Sequence, residues 1–310
     1  MKKISVTTTC FNEEKNLHEF YERLVRVFQK LERYDYEIIV ADNCSTDGSR
    51  QILREIASRD KHFKVIFNSR NFGHLRSPHN ALRKATGDAV IPMSSDLQEP
   101  PEVIPELVSQ WEAGYHVVVA VKPKSREGFP MSFVRRFYYK LLARMSDSQQ
   151  IIENFTGFGL YDRKFMDALE KYHDPYPYFR GLVTEIGFRR TSLEYVPGKR
   201  KHGKSKNNFF TLYDIAMTGF INHSKLPLRL AMFIGFCLAF FSFLISIGYF
   251  IYKLLYWQTF SLGIAPLVIG LFFFFAVQLI FMGIVGEYVG AILTQVKDYP
   301  LVIEDEKLNF

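Results

Sequence analysis

Residues 4–49 read ISVTTTCFNEEKNLHEFYERLVRVFQKLERYDYEIIVADNCSTDGS. The stretch opens on a β-rich run, ISVTTT, and reaches a second, YEIIVAD, at 36–42. Between them, Glu14–Leu31 sets Leu17, Phe20, Leu24, Val27, Phe28 and Leu31 along one side of a helix. Two strands joined through an amphipathic helix run parallel, because the crossover returns the chain to the same end of the sheet.

The pattern repeats downstream. A helix is expected over Thr46–Arg59, a strand at FKVIF (63–67), a helix over Leu75–Ala85 and a strand at DAVIPM (88–93). A Pro-Pro-started helix over Pro100–Ala113 leads to VVVAV at 117–121. The predicted fold class is α/β, a Rossmann-like, mostly parallel sheet with helices on both faces. Such sheets bind ligands beyond the carboxyl ends of their strands. That rule selects Thr8–Glu13, Asp42–Gly48, Asn68–His74 and Ser94–Glu102, all of them polar.

Charge divides the chain. Charged residues recur every few positions up to Arg229, whereas Lys253 is the only one between Leu230 and Glu287. The apolar runs Leu230–Tyr252 and Leu262–Gly286 each exceed the roughly 20 residues that cross a bilayer. The predicted domains are a soluble domain at 1–206, an amphipathic interfacial helix at 207–227, a membrane domain at 228–296 and a tail at 297–310. Transmembrane helices are expected at about 229–255 and 262–293. Lys199, Arg200, Lys201, Lys204, Lys206, Lys225 and Arg229 precede the first span, Lys297 follows the second, and the connecting loop is nearly uncharged. The positive-inside rule therefore predicts both termini in the cytoplasm.

The net charge of +7 suits an anionic membrane or phosphate-bearing ligands, and its sign alone does not choose. No nucleic-acid partner is expected, and the apolar spans leave room for a homo-oligomer. Cys10, Cys44 and Cys237 are scattered, with neither metal-type spacing nor a disulfide framework. His74, His79 and His202 lack a partner pattern and are expected in surface or satisfied polar roles.

The segment DNCSTDGS at 42–49 can present a carboxylate to a nucleotide, or cap the following helix through Thr46 or Asp47. In SSDLQEPPE at 94–102 an acidic residue can hold a hard divalent cation against a diphosphate, or the segment is a turn before the Pro-started helix. Together TTTCFNEEKNL, DNCSTDGS, NSRNFG, ATGDAVIPMSSDLQEPPEVIPEL, FRGLVTEIGF and GKSK, with PLRL and GEYVG flanking the spans, resemble the family 2 inverting glycosyltransferases of the polyprenyl-phosphate branch. That branch includes dolichol-phosphate mannose synthases and bactoprenol glucosyltransferases.

The resemblance covers nearly the whole chain and implies the GT-A fold. It implies nucleotide binding at Thr9, Phe11, Glu13 and Asp42, and donor contacts at Arg70 and Asn71. Asp96 and Gln98 fall in the family's metal motif, which implies Mg²⁺ or Mn²⁺. Arg126, Arg135 and Arg136, with the Lys204, Ser205 and Lys206 element, fall where the acceptor phosphate is expected. Asp96 and Arg135 are the expected catalytic pair.

The implied reaction moves a sugar from a UDP-sugar to polyprenyl phosphate, undecaprenyl phosphate at a bacterial inner membrane, for a cell-envelope glycan such as lipopolysaccharide. Three positions depart from the family. Ser94 replaces the first metal-motif aspartate, Asn43 and Cys44 replace Asp-Gly, and Phe158 stands where relatives carry a proposed base. A missing base is tolerable for a phosphate acceptor, whose second pKa is about 6 and which is already ionised at neutral pH. A hydroxyl acceptor such as diacylglycerol would need one, with Glu153 or Glu185 as candidates. A non-catalytic protein binding nucleotide-sugar or lipid phosphate is the other alternative. A processive polysaccharide synthase is disfavoured, because Gln-x-x-Arg-Trp is missing.

Overall fold

The computed structural model describes residues 1–123, 152, 154–198, 226–256, 264–297 and 299–310. The described strands form one eight-stranded sheet in the order β7-β5-β6-β4-β1-β2-β3-β8. Strands β1 (Lys2–Cys10), β2 (Tyr34–Asp42), β3 (Phe63–Asn68) and β4 (Ala89–Pro92) pair in parallel as expected. Helices α1 (Leu17–Phe28), α2 (Ser49–Arg59) and α3 (Gly73–Arg83) connect them. A short 3-10 turn at Pro101–Val103 leads into α4 (Ile104–Glu112) and β5 (Val117–Val121).

Beyond β5 come β6 (Phe155–Asp162), α5 (Arg163–Leu169), α6 (Phe179–Ile186) and β7 (Arg190–Glu194). Strand β6 lies antiparallel to both β4 and β5, and β7 pairs in parallel with β5.

Alternate residues of the central strands feed opposite faces, the period-2 consequence of the pleat. Ile38 and Val40 join Leu17, Phe20 and Leu24 of α1, Leu53 of α2 and Leu107 of α4 in one core. Ile39 and Ala41 join Leu82 of α3, Phe165 and Leu169 of α5 and Leu182 of α6 in the other. Helices therefore cover both faces. All six apolar residues expected on the first helix are buried, including Leu31 just past its end.

The C-terminal segment, predicted as a tail, instead supplies β8 (Glu304–Leu308), antiparallel to β3 at the sheet edge. Backbone pairing is joined there by Arg54 donating to both oxygens of Glu306 at 2.6 and 2.5 Å. The side-chain amide of Asn309 donates to the carbonyls of Ala57, Asp60 and Phe63.

The second compact unit holds helices α7 (Leu226–Leu255) and α8 (Ile264–Val296). Each contains a stretch long and apolar enough to cross a membrane, Ala231–Tyr252 with mean hydropathy 2.3 and Phe273–Val296 with 1.8. Neither stretch is buried, so these are not core helices of a soluble domain. The interfacial helix expected at 207–227 lies outside the described residues but for its last two positions.

Candidate active site

The four polar loops selected by the strand-end rule are stitched to one another. Asn12, left-handed at φ 59°, donates its amide N–H to Ser45 Oγ at 2.9 Å and accepts the Thr46 N–H at 2.8 Å. The Glu13 N–H meets Ser49 Oγ at 2.9 Å, and Glu14 Oε2 accepts the Gly48 N–H at 2.8 Å. The loop after β1 and the loop after β2 thus form one floor. Thr9 and Phe11 are half-buried within it. Glu13 accepts the side-chain amide of Asn16 at 2.6 Å.

Asp42 is fully buried at the end of β2. Its carboxylate pairs with Arg50 Nε at 2.8 Å and accepts the Ser45 N–H, so it braces the loop from below. Burial and the neighbouring Asp42 charge push the Cys10 thiol well above its ordinary pKa, and the thiol donates to Asp42 Oδ1 at 3.6 Å. The N-cap of α2 is Gly48, so neither Thr46 nor Asp47 takes the cap position; Asp47, one residue earlier, accepts the Ser49 N–H at 3.0 Å.

The departure at Asn43 has a structural reason. Its amide nitrogen donates to Asn71 Oδ1 at 2.8 Å, and its oxygen accepts the Phe72 N–H at 2.9 Å and the Asn68 amide at 3.3 Å. A carboxylate could not donate, so only an amide makes both links. Asn43 thereby joins the loop after β2 to the one after β3. Arg70 is exposed and stacks on Phe72, its guanidinium carbon 4.0 Å from the ring centroid.

The loop after β4 carries Asp96, 8% exposed. Ser94 Oγ donates to Asp96 Oδ1 at 2.5 Å and the Gln98 N–H reaches the same oxygen at 3.2 Å. Ser94 therefore orients the Asp96 carboxylate. Leu97 sits left-handed at φ 61° although it is buried. Glu99, 7% exposed, accepts the Ser94 N–H at 2.6 Å and the Thr156 hydroxyl of β6 at 2.8 Å. Burial raises the Glu99 pKa against the pull of those bonds.

Phe158 is buried and meets Tyr195 edge-on at 5.2 Å, in the same core cluster as α1 and α4. Gly198 donates its N–H to the Gln98 carbonyl at 3.0 Å, and a Cβ there would meet the Leu97 carbonyl oxygen at 2.4 Å. The backbone that leads into the basic 199–206 stretch is thus seated on the Asp96 loop. Arg126, Arg135, Arg136, Lys204, Ser205, Lys206 and the alternative base Glu153 lie outside the described residues. Glu185 is described, on α6.

Sequence reading did not single out Glu99, Thr156, Tyr195 or Gly198. Glu99 lay in a quoted motif, but its contact with Thr156 crosses 57 residues and leaves no local trace.

Comparison with known proteins accords with this geometry. The glycosyl transferase family 2 profile matches residues 5–169. YkcC of Bacillus subtilis, described as an uncharacterized glycosyltransferase, is 35% identical over 305 residues, covering 96% of this chain and 92% of that one. The SfII prophage-derived bactoprenol glucosyl transferase of Shigella flexneri is 34% identical over 302 residues, covering 97% of each. Among solved structures, the mannosyltransferase PcManGT of Pyrobaculum calidifontis, in complex with GDP-Man and Mn²⁺, is 16% identical with a TM-score of 0.49, covering 96% of this chain and 88% of that one. The profile runs from β1 through α5 and takes in all four stitched loops: this chain belongs to glycosyl transferase family 2.

Proposed function

We propose that the protein transfers a sugar from a UDP-sugar to a polyprenyl phosphate, undecaprenyl phosphate in a bacterium, with inversion, at the cytoplasmic membrane face. The observation that carries this reading is the joining, in one chain, of a family 2 site to two unburied apolar helices. Relatives named bactoprenol glucosyl transferases, 34% identical along almost their full length, support the acceptor class.

Phe158 supports it chemically. A buried phenylalanine offers no base, and a phosphate monoester, with its second pKa at about 6, needs none. A phosphate oxygen of the lipid attacks the anomeric carbon and forms the new C–O bond. The bond from that carbon to the UDP oxygen breaks, and UDP leaves with the electron pair. The stitched floor of Thr9, Phe11, Glu13 and the Asp42 loop is where we place the nucleoside. Arg70 and Asn71 flank it.

No group of three or more His, Cys, Asp or Glu among the described residues could hold a metal by itself. The oxygen donors of Asp96 and Gln98 nevertheless fit a hard cation that takes its other ligands from substrate phosphates and water. Mg²⁺ or Mn²⁺ there would offset charge on the departing diphosphate. Ser94 holds the carboxylate in one orientation for it. Arg126, Arg135, Arg136 and Lys204–Lys206 are assigned to the acceptor phosphate by family position.

The pairing of β8 with β3 supports the two-span topology. Both apolar helices lie between these strands in the chain, so an even number of crossings is needed to return β8 to the sheet. With the lysine and arginine flanks, this favours cytoplasmic termini.

UDP release by the full-length protein in detergent, across UDP-sugars and with or without undecaprenyl phosphate, tests the reading. Release that requires the lipid phosphate, and falls in EDTA, is expected. Release indifferent to the lipid would overturn the acceptor assignment.

A further inference from the structure

Arg180 lies in the first turn of α6, beyond the residues that the family profile matches and within the FRGLVTEIGF motif. Leu182 and Val183, on the same helix, are buried in the second core, which fixes the helix while Arg180 stays exposed. Its Nε donates to the Thr156 carbonyl at 3.2 Å. Gly157, at φ 107°, follows that carbonyl in a backbone conformation L side chains rarely adopt.

From Thr156 the contacts continue without a break. The Thr156 hydroxyl donates to Glu99 at 2.8 Å, Glu99 receives the Ser94 N–H at 2.6 Å, and Ser94 Oγ donates to Asp96 at 2.5 Å. Arg180 is therefore registered to the Asp96 carboxylate through hydrogen bonds that cross from α6 through β6 to the loop after β4. Beside the relay, the Tyr195 hydroxyl is buried without a hydrogen-bond partner among the described residues.

The surroundings of Arg180 are cationic. Arg70 and Arg76 lie over the Phe72 ring at 4.0 and 5.4 Å, and Arg76 also lies over Tyr176 at 5.6 Å, just ahead of α6. Burial and the Arg180 charge both lower the His74 pKa. Among the described residues, none of Arg70, Arg76 and Arg180 forms an ion pair with a carboxylate. Like charges gathered without acidic partners make a positive field that an anion relieves. Among the described residues Arg180 makes its hydrogen bond through Nε, which leaves the Nη edge of the guanidinium for a ligand.

We infer that Arg180 binds a phosphate oxygen of the reacting pair, in a position set relative to Asp96 by the Thr156–Glu99–Ser94 relay. The inference rests on the transferase reading above, and the ligand chemistry is shared by the donor diphosphate and the lipid phosphate. Arg180 contacts substrate; Thr156 is a positioning residue.

The test uses full-length Arg180→Gln, Arg180→Lys and Thr156→Val proteins in nanodiscs, with thermal melts to verify folding. UDP affinity is read by calorimetry, undecaprenyl phosphate binding by quenching of intrinsic fluorescence, and kcat and KM by UDP release. Loss of a charge-assisted contact should weaken one of the two bindings about tenfold or more in Arg180→Gln. A weakened UDP arm identifies the diphosphate as the ligand, and a weakened lipid arm identifies the acceptor. Arg180→Lys should recover part of the loss, and Thr156→Val should lower kcat with UDP affinity nearly kept. Both affinities unchanged within about twofold in a folded Arg180→Gln protein overturn the inference. The binding arms need no turnover. Wild-type protein without lipid-dependent release would overturn the transferase reading and still leave Arg180 tested.

Discussion

The two ends of the parallel strands are built on different electrostatics. At the amino end, Glu37 is buried at 1% exposure and gripped by Lys64 at 2.7 Å, Ser5 at 2.6 Å and the Thr86 N–H at 2.7 Å. Burial alone would raise its pKa, but the Lys64 and Ser5 bonds, the Thr86 amide and the Lys64 charge hold it at about 2. At the carboxyl end, Glu99 is nearly as buried, yet its bonding partners are neutral and its pKa is raised. One end neutralises its charge internally and serves the fold. The other holds a carboxyl among neutral dipoles beside Asp96, an arrangement that leaves positive charge nearby for a ligand.

The contrast breaks most visibly at Glu37. Its folded pKa lies below the unfolded value of 4.5, so its contribution is fully present above about pH 4.5 and is lost as pH falls towards 2. A shift of that size corresponds to about 3 kcal/mol. Glu37→Gln should therefore lower stability by about 3 kcal/mol at pH 7, with the half-buried Lys64 left without its charge partner. It should also flatten the acid limb of a Tm-versus-pH curve. A variant with the wild-type acid limb would show that the ion pair is not the source of stability at this end.

Gly198→Ala comes next. The added Cβ would meet the Leu97 carbonyl at 2.4 Å, and that carbonyl belongs to a backbone already left-handed. Overpacking of this kind costs about 2 kcal/mol. Because the strain falls on the Asp96 loop, kcat should drop more than the melting temperature suggests. Equal, small changes in both would mean that the Gly198 seat is loose.

Glu99→Gln sharpens the comparison by its mildness. Glutamine keeps the shape and one acceptor oxygen and breaks no ion pair, so stability should change by about 1 kcal/mol, against about 3 for the same substitution at Glu37. The pH sign is opposite as well. With its folded pKa raised by burial, the contribution of Glu99 is fully present below the unfolded value of 4.5 and declines as pH rises above it. Melts at pH 5 and pH 7 should show a smaller loss with pH in Glu99→Gln than in wild type.

This division also explains what could be read from the sequence. The face of α1 was legible because its six apolar residues obey one local period, and the four loops were legible because each ends a strand. Strand β8 was not, since EDEKL has no apolar alternation and its stability comes from the β3 edge, Arg54 and the Asn309 amide. The Asp96 motif could be located, but its support by Thr156 and its contact with Gly198 are long-range. Asp42 is an instructive middle case. Its position at a strand end was legible, whereas its burial against Arg50, eight residues on, was not.

Backbone strain follows the same division and yields the smallest effect. Asn12, Cys44, Leu97 and Asn154 are left-handed at the carboxyl end of the parallel strands; among the described residues Phe188 and Asn309 are the other non-glycine cases. Cys44, at φ 64°, holds a backbone conformation that glycine adopts without strain. A non-glycine residue there costs about 1–2 kcal/mol, and glycine returns about 0.5–1 kcal/mol of that as lost chain entropy. Cys44→Gly should accordingly stabilise by about 0.5 kcal/mol, while Cys44→Val, with a branched Cβ in the same conformation, should destabilise. Thermal melts of the pair read the sign directly. If both variants melt like wild type, the loop relaxes freely, and the strain argument then fails at Cys44 and with it the claim that this end is held rigid by its stitched loops.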